Sequence, residues 1–422
     1  MIYQKFSKRQ LLSMLWWQQP KLKGRDAIIC DGSIRSGKTL TMSVGFILWA
    51  MCTFNGQKFA ICGKTIESLR RNVIINLQDW LPYDLEITER RAENKLIISD
   101  GTGRENVFFL FGGKDESSYT LIQGMTLAGV LMDEVALMPR SFVEQALARC
   151  SVAGSTFWFN CNPEGPQHWF YLEWICKTKE HNALHLHFTM DDNPALPPEI
   201  RKRYEAMYSG VFYRRYVRGE WCKAEGLVYS IFDKAKHVTS ELPKYDRSQS
   251  KHFRYYISID YGTLNPFSAG LWCLYDGVAY RMREFYHNGR TDGQKTDSEY
   301  YDAIEKLAGN LPIESIIIDP SAASMITEIM RRGKYTVVKA RNDVLPGISY
   351  TAALLQAGRM KIGAACEDAI REFGLYAWEE KGETDRVIKE NDHAMDDIRY
   401  FAYTILRREL FAEMRDYRDV QD

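Results

Sequence analysis

The chain has no surplus of charge: 55 Lys and Arg stand against 55 Asp and Glu. A protein that coats nucleic acid statically needs a basic excess to displace counterions, so any grip on nucleic acid here is local or transient. Membrane-spanning apolar runs are missing as well. Leu40–Phe54 is too short to cross a bilayer and reads as a buried helix. Lys5, Lys8 and Arg9 near the start are not followed by an apolar segment and cleavage site, so no signal peptide is expected. The nine cysteines include no C-x-x-C pair. That argues against a disulfide frame or zinc site and for free thiols in a reducing cytosol, with Cys150, Cys161 and His168 read as isolated core residues. Internal repeats and low-complexity segments are absent from the sequence. What remains is an ordinary globular composition in 422 residues, enough for two domains.

The organising stretch is Gly32-Ser33-Ile34-Arg35-Ser36-Gly37-Lys38-Thr39, a full match to G-x-x-x-x-G-K-[ST]. Two glycines allow a sharp turn, so that successive N–H groups cradle phosphate oxygens. Lys38 reaches the outer phosphates and the Thr39 hydroxyl can ligate Mg²⁺. Ala27–Cys30 before the loop reads as a buried strand. Leu40, Val44, Ile47 and Met51 after it fall at helical spacing, and the start of that helix adds its dipole to anion binding. Arg35 inside the loop is a candidate phosphate contact, and Arg140 is a weaker one. Gln10, on a helix expected over Met1–Trp17, is placed to read an adenine edge.

Strands at Phe59–Cys62, Asn106–Phe111 and Ser155–Asn160 alternate with helical segments, which predicts a parallel sheet and an α/β fold. Ala128–Met132 is an apolar strand ending in Asp133-Glu134. Strand ends beside a phosphate loop are where ligands sit in such sheets. Asp133 is therefore assigned to the nucleotide's Mg²⁺, and Glu134 to orienting and deprotonating the attacking water. A polar residue at the tip of Ser155–Asn160, followed by Cys161-Asn162-Pro163, is a candidate sensor of the terminal phosphate. Asp192–Trp221 reads as helical and rich in Arg and Tyr, either a DNA-facing or lid surface or a solvated face.

The polar, aperiodic stretch Ser240–Ser250 marks a boundary. The expected division is residues 1–225, a linker region 226–250 and a second domain 251–422. Beyond it, Tyr255–Ile259 is a strand ending in Asp260, and two strands flank the hairpin turn Asp276-Gly277. Ser315–Ile318 is a strand ending in Asp319, and a helix opens at Asp392-His393 with Asp396 and Asp397 one turn on. This strand–hairpin–strand order with acids at the element ends is the ribonuclease-H-like plan. Its carboxylates suit two Mg²⁺ or Mn²⁺ ions, roughly 4 Å apart, clamping the attacking and leaving oxygens of a phosphodiester.

In this order the motifs resemble the large subunit of a tailed-phage DNA-packaging terminase. The resemblance rests on Gly32–Thr39, Leu131–Glu134, Phe159–Pro163, Tyr216–Trp221, Ile259–Gly262, Ile318–Pro320 and Asp392–Asp396. It implies an N-terminal P-loop ATPase joined to a ribonuclease-H-like endonuclease, which uses ATP to drive viral DNA through a portal protein into a procapsid. It also implies a small terminase subunit as partner, an oligomer on the portal, no membrane, and work in the infected host's cytoplasm rather than in the virion. The family spacing makes Asp396 the third nuclease acid, with His393 beside it as a weak ligand or proton donor. The next residue is often small in the family but is Asp397 here, so either acid can be the ligand. Two other readings compete: a repair-type helicase-nuclease, for which no convincing motif set is found, and a nucleotide-gated assembly protein with an inert second domain.

Overall fold

The structure, a computed structural model, describes residues 6–82, 84–244, 252–379 and 385–407. It divides into two units. One comprises the chain to Glu205 together with Val211–Lys223, and the other takes Ala206–Gly210 and the chain from Ala224.

The first unit is built on an eight-stranded sheet: β1 (Ala27–Gly32), β2 (Lys58–Gly63), β3 (Leu85–Arg90), β4 (Lys95–Asp100), β5 (Glu105–Gly112), β6 (Gly129–Met132), β7 (Thr156–Asn160) and β8 (Ala183–Phe188). Their spatial order is β3-β4-β5-β2-β6-β7-β1-β8. Pairing is parallel from β5 to β8, and β3 and β4 add an antiparallel end. β1 and β6 are buried along their whole length, because helices and loops cover both faces of a parallel sheet. β3, with one face open, alternates in exposure residue by residue. The helix Lys38–Thr53 packs on the sheet through an aromatic cluster in which Phe46 and Trp49 lie 5.8 and 5.9 Å from Trp158. β7 separates β1 from β6, so its tip stands between the phosphate loop and the Asp133-Glu134 pair.

The second unit has a seven-stranded sheet: β9 (Val238–Thr239), β10 (Arg254–Asp260), β11 (Pro266–Tyr275), β12 (Val278–Asn288), β13 (Ile313–Ile318), β14 (Val337–Lys339) and β15 (Met360–Gly363), in the order β14-β13-β10-β11-β12-β15-β9. β10, β11 and β12 form an antiparallel meander, and β13 joins β10 in parallel. This is the strand order expected of a ribonuclease-H-like core. Asp276 and Gly277 both adopt positive φ, 49° and 69°, as a two-residue hairpin turn requires.

Three segments differ from their sequence expectations. The linker assigned to 226–250 is folded chain in its first part: Leu227 bridges to Ala377, Tyr229 is buried, and β9 pairs with β15. Short, sparsely apolar pieces that complete a sheet edge carry no periodic signal. Residues 245–250 of that segment lie outside the described residues, as do 1–5 of the expected first helix, which is observed at Lys8–Leu15. Asp192–Trp221 is not one helix. A regular helix spans Pro198–Met207, and Tyr213–Val217 is a separate wide turn in which Arg215 is buried against Glu164 and the Cys222 carbonyl. That arginine therefore faces neither DNA nor solvent.

Candidate functional site

In the first unit the chain leaves β1 at Gly32 with φ +124°, and a side chain there would meet the Phe188 carbonyl of β8 at 1.9 Å. Only glycine lets the loop start so close to its neighbour. Arg35 and Gly37 take left-handed conformations, which curl the loop before the helix at Lys38. Lys38 is buried, and its ammonium donates to the Gly32 and Ser33 carbonyls (3.1 and 2.6 Å) and to Asn162 Oδ1 (3.2 Å). Burial holds its pKa below the ordinary lysine value, although nearby Glu134 opposes this. Thr39 Oγ1 donates to Asp133 Oδ1 at 3.2 Å, so the two oxygens assigned to Mg²⁺ are already neighbours.

Asp133 also accepts from Asn160 Nδ2 (2.9 Å), and Asn160 Oδ1 takes the Glu134 N–H (3.1 Å). Glu134 adopts φ 61°, and its carboxylate accepts both bonds of the Asn162 amide (3.1 and 3.2 Å). Burial, reinforced by Asp133, pushes Glu134 up to about 7, the range in which a carboxylate works as a base near neutrality. Burial raises Asp133 too. The asparagines at the β7 tip were foreseen only as an unspecified polar sensor. Their contacts are now distinct: Asn160 ties the acidic pair together, and Asn162 connects the loop lysine to Glu134.

Gln10 is buried against the loop. Its Nε2 donates to the Ser36 carbonyl (3.1 Å) and its Oε1 caps its own helix at Ser7 N. Ser36 Oγ donates to the Ser33 carbonyl within the loop (2.9 Å). Arg35 donates to the Tyr204 hydroxyl (2.7 Å) and lies over that ring, and Arg140 pairs with Glu144. Both guanidiniums are engaged away from the phosphate cradle in this conformation.

In the second unit Asp260 ends β10 and Asp319 follows β13, one residue beyond the register pair Ile259–Ile318. The two acids thus leave adjacent parallel strands side by side, about 4.8 Å apart in the backbone. The helix His393–Phe401 supplies the rest. His393 Nδ1 lies 2.8 Å from Asp260 Oδ2. Burial works against the charged imidazole, but Asp260 prevails and His393 is raised. Asp260 itself is pushed up to about 6, first by burial and then, against the His393 bond, by Asp396. Asp319 accepts from the Ser321 N–H (2.7 Å) and Asn342 Nδ2 (3.0 Å), which outweigh its partial burial and leave it below the usual range. Asp396 pairs with Arg399 at 2.9 Å. All three acids act on the Tyr400 hydroxyl, whose raised pKa comes from burial and then from Asp396, Asp260 and Asp319. The predicted acids are therefore brought into one electrostatic neighbourhood. Among the described residues, no three His, Cys, Asp or Glu side chains already converge as a metal cage.

Asp397 is a different kind of residue. It is fully buried beneath the sheet, receives both guanidinium nitrogens of buried Arg281, and accepts from Ser258 (2.7 Å) and Ser268. Its oxygens are taken up by four hydrogen bonds from Arg281, Ser258 and Ser268. We propose Asp396 rather than Asp397 as the third acid, since Asp397 is already engaged by Arg281 and two serines. A signal existed in the sequence: Gly270 in mid-strand, where a side chain would strike Arg281 at 2.0 Å, marks the room made for that arginine.

The comparisons with known proteins agree across both units. Residues 29–236 match the family model described as the N-terminal part of the terminase large subunit, T4likevirus-type. A large-subunit terminase of Escherichia phage T5 is 22% identical over 54% of this chain, and the chain spans about half of that relative (52%). The solved large terminase of a thermophilic bacteriophage is 48% identical, with 96% of this chain and 100% of that one covered and a TM-score of 0.89. The same thermophilic-phage protein in complex with ATP-γ-S is 47% identical over 95% of this chain and all of its own, with a TM-score of 0.86. With nearly its full length matched at this identity, the chain belongs to the bacteriophage large-terminase family.

Proposed function

We propose that this chain is an ATP-driven DNA-packaging motor and endonuclease. The first unit hydrolyses ATP, and the second cuts concatemeric double-stranded viral DNA that the motor moves into a procapsid. The observation that carries the motor reading is the chain Lys38–Asn162–Glu134, with Asp133 and Thr39 beside it. That the similar thermophilic-phage large terminase was solved in complex with ATP-γ-S supports nucleotide binding by this chain. The loop N–H groups and Lys38 bind the phosphates, and Glu134 takes the proton of the attacking water while Asn162 holds both the base and the lysine. Thr39 and Asp133 would hold Mg²⁺, which supplies charge neutralisation at the phosphates.

In the second unit Asp260, Asp319 and Asp396 would hold Mg²⁺ or Mn²⁺. Their all-oxygen donor set, with Asp396 raising Asp260, fits hard divalent cations, which would activate water and stabilise the leaving oxygen. His393 is placed to give or hold a proton near Asp260. The portal protein, a small terminase subunit and further copies of the chain are the proposed partners, and the host cytoplasm is the proposed place of action. Among the described residues no helix is long and apolar enough to cross a membrane. The helicase-nuclease reading is not favoured, given the likeness to a large terminase over 96% of the chain.

The test is Glu134→Gln. It should bind ATP and hydrolyse it about 100-fold more slowly, because a positioned base contributes about that factor. Hydrolysis at the normal rate would remove Glu134 from the mechanism.

A further inference from the structure

Directly before the loop sits a buried acid that the reading above does not use. Asp31 is the last residue of β1 before Gly32, and only 1% of its side chain is exposed. A carboxylate in such a place is costly unless its oxygens are fully bonded. Here they are: Oδ1 accepts from His185 Nε2 (2.8 Å) and His187 Nδ1 (3.0 Å), and Oδ2 accepts from Trp221 Nε1 (2.7 Å). The two imidazoles lie on one face of β8, at i and i+2, with His187 directly across from Asp31. Trp221 lies on the segment by which the chain leaves the first unit, which ends at Lys223.

The phosphate loop is bonded to the same two neighbours. The Ser33 N–H donates to the Phe188 carbonyl at the end of β8, and the Ile34 N–H donates to the Tyr216 carbonyl of the exit segment (both 2.9 Å). Gly219 lies so close to the loop that a side chain there would meet Ser33 N at 2.8 Å. Arg215 of the exit segment also reaches Glu164, two residues beyond Asn162. The carbonyls of Gly32 and Ser33, fixed by this arrangement, are the ones that hold Lys38.

We propose that Asp31 is a positioning residue for ATP turnover, pinning the base of the phosphate loop to β8 through His185 and His187 and to the exit segment through Trp221. It touches no substrate atom. It acts by setting where Lys38 and the loop N–H groups stand, and by making the exit segment share any movement of the loop. A misplacement of about 1 Å in such a group can cost about 100-fold in rate. The proposal rests on the reading of this loop as an ATPase site.

The experiment is steady-state ATP hydrolysis by the full-length chain carrying Asp31→Asn, Trp221→Phe, both changes, or Lys38→Ala, with thermal unfolding to confirm folding. Asp31→Asn keeps the shape but removes the charge and turns one of the two acceptor oxygens into an N–H donor, so His185, His187 and Trp221 can no longer all donate to it. Trp221→Phe removes the N–H together with the five-membered ring and keeps a six-membered aromatic ring in place. Each single change should lower kcat by about tenfold or more, within the range a misplaced catalytic group costs. The double variant should be no slower than the slower single, because both break one link. Unchanged kcat in the folded singles overturns the proposal whatever their melting temperatures, since a merely structural cluster would move stability alone. Multiplying effects in the double overturn the link between the two residues. Lys38→Ala separates the two failures: if it hydrolyses ATP normally, the ATPase reading falls rather than the positioning role.

Discussion

Glu134 and Asp396 are both acids assigned to phosphate chemistry, yet one is held by an amide and the other by a guanidinium. Asn162 orients Glu134 without supplying a counter-charge, so burial keeps the carboxylate proton-hungry, at about 7. Arg399 supplies a full positive charge to Asp396, and His393 partners Asp260. A neutral partner preserves basicity, which a general base needs. A charged partner offsets the repulsion among clustered carboxylates, which otherwise calls for divalent cations. On the function proposed above, the first site is organised for proton transfer, and the second for gathering charge.

The sharpest way to break this contrast is Lys38→Ala. Loss of the only ammonium among the described first-site contacts should lower ATP hydrolysis by about 1000-fold, the upper range for one lost electrostatic donor. Plasmid cleavage in Mn²⁺ should stay at the unmodified level. If cleavage falls with hydrolysis, the two sites are not separable.

The converse set comes next. Asp260→Ala, Asp319→Ala and Asp396→Ala should each reduce plasmid cleavage by about 100-fold, since several kcal/mol of charge stabilisation are lost with a metal ligand. DNA retention in a gel-shift assay and ATP hydrolysis should both persist. Full cleavage by Asp319→Ala would end the two-metal reading.

Asp397→Ala tests the division between neighbours. It leaves Arg281 in the core with only the longer 3.4 Å pairing to Glu284, and losing the closer partner of a buried pair costs about 3–5 kcal/mol of stability. Asp396→Ala unpairs buried Arg399 and should lose stability as well, so the two variants divide on cleavage by the folded protein, lost in Asp396→Ala and kept in Asp397→Ala. A stable, cleavage-dead Asp397→Ala would reverse the assignment.

The smallest effect concerns the boundary. Phe232 stacks on Phe373 at 4.0 Å and Tyr229 is buried beside it. We propose that the second domain begins near Ala224. A fragment starting there should outlast one starting at Lys251 in urea, since each large apolar side chain removed costs about 1.5–3 kcal/mol. Equal midpoints would return the boundary to the sequence-based position.

Much of the first site was legible because its chemistry is local. The loop glycines, Lys38 and Thr39 lie within eight residues, and an apolar strand ending in Asp133-Glu134 declares where its acids point. Asn160 and Asn162 were legible only as a polar strand tip, because their partners lie on other strands. The antiparallel β3–β4 edge was missed, since half-exposed strands of mixed composition resemble loops. Asp31 gave no signal at all, as its three donors come from β8 and from a segment some 190 positions away.

The sequence by itself determined the α/β character, the order of the two chemistries, the loop, and the acids at the strand ends. These follow from short spacings and from period-2 and period-3.6 patterns, which act within a few residues. Only the tertiary structure distinguished the surroundings of Asp396 and Asp397, one paired with Arg399 and the other with Arg281. Consecutive helical residues point about 100° apart, so the two neighbours meet different partners. Which is which depends on Arg281, more than a hundred residues earlier, reaching through the gap left by Gly270.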